Sequence, residues 1–149
     1  MLNQIDDTRK KRAVIIFLAT ILFISMKGFL SPVVGVGFVL QKEVIGVSGD
    51  QKVVIFQSDI EGILAENDSL RLLLPEDSEN LQISEITETE LKKTYPEIEY
   101  IVHMRLCTED SVREYRVNRE DFNILNIGTV ARFEVYRSER TVIRRIIEV

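Results

Sequence analysis

The stretch Glu97–Cys107, EIEYIVHMRLC, decides the fold class. Its apolar residues alternate, so Tyr100, Val102, Met104 and Leu106 share one side of a strand half sunk in a core. His103 and Cys107 fall on the other side. Four residues apart on a helix they would be neighbours and could form a thiol–imidazole pair. On a strand they stand about 13 Å apart at ~3.3 Å per residue, too far for a proton to pass.

Downstream, the same short rhythm continues. Thr108-Glu109-Asp110-Ser111 reads as a turn into a strand over Val112–Val117. Asn118 is placed to cap a short helix over Arg119–Leu125, with Phe122 and Leu125 one turn apart. Gly128 turns the chain into a strand over Thr129–Tyr136, and Ser138-Glu139 closes a hairpin onto Thr141–Glu148. Upstream, Phe38–Val47 and Lys52–Gln57 are rich in Val and Ile and are separated by the turn Ser48-Gly49-Asp50-Gln51. Ser58 to Glu61 has capping-box spacing and predicts a single helical turn. Strands are then expected over Leu70–Leu74 and Leu81–Ile86. Thr87 and Glu90, again in capping-box register, predict a helix over 88–94 that Pro96 ends.

The two halves match in pattern, though hardly in identity, with a shift of sixty residues. The expectation is therefore a mainly β fold with short helices, a small barrel or sandwich. It is built either from tandem ββαββ units over 38–86 and 97–149 or around one shared core. The shared core is favoured because Thr141–Glu148 and Leu70–Leu74 carry apolar residues on both faces.

Ahead of the strands, the basic run Arg9-Lys10-Lys11-Arg12 leads into AVIIFLATILFISM, Ala13–Met26, which carries no charge. Ala13 to Leu30 would span about 27 Å as a helix at ~1.5 Å per residue, close to a hydrocarbon core. Lys27 is tolerated near the distal end, where its ammonium reaches the headgroups. A cleaved signal peptide has the same opening, but no A-x-A-like site follows the apolar core. With the cations in front, the N-terminus is expected in the cytoplasm. The organisation is then a basic tail over 1–12, a transmembrane anchor over 13–34 and an extracytoplasmic β domain over 35–149 on a single-pass cell-membrane protein.

Of 24 acidic and 19 basic residues, two acids and five bases lie at or before Lys27, so the exported portion is acidic. That balance argues against a polyanion-binding or anionic-lipid-binding module and against a nucleic-acid partner, although Arg132, Arg137, Arg140, Arg144 and Arg145 cluster near Phe133 and Tyr136. A single Cys excludes an intramolecular disulfide. Asp59, Glu61, Glu66 and Asp68 gather enough oxygens to be candidates for weak calcium binding, without an EF-hand spacing. No phosphate-binding glycine loop or Ser-His-Asp set is present, no cofactor is implied, and no catalytic residue can be named.

The second half, with Tyr100…Met104, Arg113-Glu114-Tyr115-Arg116-Val117, Phe122…Leu125-x-x-Gly128 and Arg140 to Ile146, resembles a family of uncharacterised bacterial single-pass proteins with a small membrane-tethered β domain. The region Ser58–Leu74 is more faintly similar to the β domain of membrane-fusion adaptor proteins. Neither resemblance supplies catalytic residues. The expected function is non-enzymatic protein interaction at the membrane, as an accessory subunit of an envelope or transport complex or an immunity-type protein. The alternative is a small-ligand or cation sensor using the acidic segment 59–99.

Overall fold

A computed structural model describes residues 16–18, 20–22, 31–75 and 80–149. Residues 16–18 and 20–22 are helical, with Thr20 Oγ1 donating to Ile16 O at 2.8 Å. The anchor residues Ala13, Lys27 and Leu30 lie outside the described residues. Among those described, no helix is long and apolar enough to cross a membrane.

Seven strands and three short helices follow. The strands are β1 (Val33–Ser48), β2 (Gln51–Asp59), β3 (Gly62–Ala65), β4 (Glu97–Leu106), β5 (Val112–Val117), β6 (Val130–Val135) and β7 (Ile143–Glu148). The helices are α1 (Asp68–Arg71), α2 (Glu85–Lys92) and α3 (Arg119–Ile124). All strand ladders are antiparallel and belong to one sheet, ordered β3-β2-β1-β4-β5, with β6 on β1 and β7 on β6.

β1 organises this sheet. Its second half pairs with β2, its first half with β6, and nearly its whole other edge with β4. Serving three neighbours requires it to bend, and a register shift between Val39 and Gln41 provides the bend. Gly35 allows a close approach: a Cβ there would lie 2.8 Å from the Phe133 ring, so a larger residue would expel Phe133 from the core. A second irregularity, opposite Val44 and Ile45, lets both Ile55 and Phe56 of β2 be buried.

The sheet does not close into the expected barrel. β5 and β7 meet at one parallel bridge, Arg116–Val142, supported by Arg116 N donating to Thr141 O at 2.8 Å. The rest of that seam has no ladder because β7 begins only at Ile143, beside the end of β5. Nor is it a two-sheet sandwich: the inner face of one curled sheet holds a single core, from Val39 and Phe56 through Met104 to Phe133 and Ile143.

Several local expectations are corrected. Ser58 to Glu61 is no helix: β2 runs to Asp59, and Gly62, at φ 136°, turns it back as β3. Leu70–Leu74 is no strand. Asn67 accepts from Leu70 N and starts α1, after which the chain turns. Leu81–Ile86 is irregular up to Ser84, and Ser84, not Thr87, caps α2; Thr87 instead donates its hydroxyl to Leu73 O at 3.2 Å. β7 lies at the rim of the sheet and is not clasped between units. The strand system begins at Val33, inside the span assigned to the anchor.

Candidate functional site

Alternation on β1, β4 and β5 sends one set of side chains into the core and the other outward. The outward set is charged. Register places Gln41 opposite His103 and His103 opposite Glu114. His103 Nε2 lies 3.5 Å from Glu43 Oε2, and its Nδ1 lies 4.0 Å from Glu114 Oε1. Gln41 Nε2 donates to Glu43 Oε1 at 2.5 Å and holds that carboxylate in place. His103 Nε2 is buried without a hydrogen-bond partner among the described residues.

One row away, Glu99 pairs with Lys52 at 2.6 Å and with Arg116 at 3.6 Å, and Arg116 also reaches Glu139 at 3.1 Å. Lys52, Glu99 and Arg116 line a shallow cleft of about 290 Å³ together with Ile101, Glu114 and Thr141. Glu99 is paired with both cations of this cleft, whereas Glu114 is paired with neither. Such a surface can recognise a polar or charged side chain.

Behind this face lies a residue whose role sequence reasoning missed. Lys42 is fully buried, its Nζ donating to Leu81 O at 2.6 Å and to Leu125 O at 2.7 Å. The ammonium also sits 4.3 Å from the centre of the Phe122 ring. Leu125 is the C-cap of α3, so Lys42 occupies a carbonyl that a helix end leaves free. Burial lowers its pKa to about 7, while the two carbonyls and the ring favour the charged form. Asn123 adds a second link by exchanging hydrogen bonds with Ile83 N and O at 2.8 and 2.9 Å. Together they fasten the helical layer to β1. The signal in the sequence was phase: Lys42 alternates with Val44, which points inward.

Other titrations are displaced as well, Tyr100 and Glu134 among them. Burial, and then the Glu88 carboxylate, raise the Tyr100 hydroxyl above its ordinary value. The Arg145 guanidinium, bonded twice at 2.9 Å, holds Glu134 below the usual carboxylate range.

The calcium candidates are engaged separately. Asp59 accepts from Glu61 N in the β2–β3 turn, Glu66 accepts from Tyr95 Oη at 3.0 Å, and Asp68 opens α1. Among the described residues no three His, Cys, Asp or Glu side chains are grouped to hold a metal ion. Cys107 is exposed just beyond β4. Compared with protein-family models, with curated proteins and with solved structures, the chain matches none.

Proposed function

We propose that this protein is a single-pass membrane protein whose β domain, outside the cytoplasm, binds another membrane or envelope protein and performs no chemistry. The interaction half of this reading rests on the β2–β3 hairpin. There the free edge of the sheet ends in a four-residue strand, with Ile60 83% and Leu64 66% exposed. An open edge with bare apolar side chains is a surface suited to a partner. The anchor half is supported by the basic run followed by helical, exposed Ile16, Phe17, Leu18, Ile21 and Leu22. Apolar helical residues without protein cover suit a lipid environment.

Protease added to right-side-out vesicles is expected to digest the chain beyond Leu40 and spare 1–12. Cleavage confined to permeabilised vesicles would reverse the topology. Co-purification from detergent extracts is expected to recover one membrane complex with the natural chain and to lose it with Ile60→Asp/Leu64→Asp. Recovery of the same complex by the double variant would remove the hairpin as the docking edge.

A further inference from the structure

The outward face of β1 changes character along its length. Its second half carries the paired charges described above. Its first half presents Val34, Val36 and Phe38, because Gly35 and Gly37 face Phe133 and Met104 in the core. Register extends this apolar strip sideways. Phe38 stands opposite Arg105 on β4 and Val130 on β6, Arg105 stands opposite Val112 on β5, and Val36 stands opposite Arg132. Val34, Val112 and Val130 are 47%, 53% and 51% exposed. Arg105 and Arg132 are exposed, and neither makes an ion pair among the described residues.

The nearby acids do not neutralise them. Glu134 is taken by Arg145, with Arg144 4.0 Å away, and Glu109 is taken by Arg113. Glu148 faces Arg132 in register without forming a bridge, and Asp110 lies in the turn beyond β4. The β2–β3 margin is acidic, with Asp59, Glu61, Glu66 and Asp68 along it. Against the acidic balance of the whole domain, the unpaired guanidinium groups of Arg105 and Arg132 and the bare valines lie together around the first half of β1.

That end is also the one tied to the apolar segment. Only Ser31 and Pro32 separate Leu30 from Val33, a reach of about 10 Å at ~3.4 Å per residue. We propose that the domain lies down on the bilayer, with Val34, Val36 and Phe38 against the lipid and Arg105 and Arg132 on anionic headgroups. This rests on the membrane-anchor reading. Short tether, apolar strip and unpaired guanidinium groups are jointly what an interfacial contact uses.

Cys107 provides the probe. It is the only cysteine in the chain, it is exposed, and its backbone N–H donates to Val36 O at 3.0 Å, beside the strip. The full chain, labelled there with a fluorophore, is placed in nanodiscs of phosphatidylglycerol or of phosphatidylcholine, each containing a headgroup nitroxide lipid. Quenching is expected to be several-fold stronger in phosphatidylglycerol, to fall to the phosphatidylcholine level in R105Q/R132Q, and to persist in R105K/R132K. Equal quenching in both lipids, or strong quenching retained by R105Q/R132Q, would overturn the proposal while leaving the anchor standing. Two copies per disc with label self-quenching would assign the strip to a second chain and overturn it as well. Failure of the chain to enter discs at all would overturn both the anchor and this contact.

Discussion

A fragment from Glu97 to Val149 is expected to be unstructured, while the β domain of the intact chain unfolds in one transition. Such a fragment retains β4 to β7 but loses β1, to which both β4 and β6 are paired. Without it, β4 keeps only β5 and β6 keeps only β7, and these two ribbons are joined by one backbone bridge, Arg116–Val142, and by the Tyr115–Phe133 ring contact. The core is divided in the same cut. Val39, Val44, Ile55, Phe56, Leu81 and Leu91, which are fully or almost fully buried in the intact domain, are removed. Two-stranded ribbons without a hydrophobic backing are marginal, and a chain of this size buries little surface even when complete. Collapsed amide resonances in the fragment and coincident melting by several probes in the intact chain are the expected readings. Dispersed resonances and cooperative melting of the fragment would show that the second half closes a core of its own.

Lys42→Ala is expected to cost about 4 kcal/mol, and Lys42→Met about 2 kcal/mol, from the usual cost of buried unpaired carbonyls and of core cavities. The carbonyls of Leu81 and Leu125 belong to the backbone, so neither variant removes them; both leave them without their donor. Met preserves most of the volume beside Phe122, whereas Ala also opens a cavity. Replacing a buried charge can be neutral when its partners go with it, but here they stay. Denaturant unfolding checks this, and a Lys42→Met chain as stable as the natural one would show that the ammonium contributes nothing.

The same residue imposes a pH dependence. Its folded pKa, near 7, lies below the ordinary lysine value of 10.5. Between those values the unfolded chain holds a proton that the folded chain has released, so stability rises with pH through that window. The slope from this one group is at most about 1.4 kcal/mol per pH unit. Below pH 7 both states are protonated and the burial cost is present in full. Lys42→Met should remove this contribution to the slope.

What the sequence disclosed followed from how local the cause was. β4 was legible because Tyr100, Val102, Met104 and Leu106 alternate without interruption, and α3 because Asn118 accepts from Asp121 N at 2.7 Å as its spacing implies. Leu70–Leu74 misled because an apolar run of that length fits a strand or a short helix, and Asn67 decides the matter only through its cap. Thr87 had a cap-like context, but Leu73, distant in sequence, draws its hydroxyl away, and Ser84 caps the helix instead. The open seam between β5 and β7 was hidden because closure depends on where β7 starts relative to β5. The charged cleft was hidden likewise: Lys52, Glu99 and Arg116 come together only through the order of β2, β1, β4 and β5.

The position of β1 bears on how the molecule carries load. Tension arriving from residues ahead of Val33 enters the central strand directly and acts along its axis. The hydrogen bonds to β4 and β6 lie across that axis. They are strained in shear and share the pull, so they must yield together and cannot unzip in succession from an end. A strand hung at the rim, such as β7, would peel. By beginning at its centre, the sheet places its strongest grip where the chain enters it.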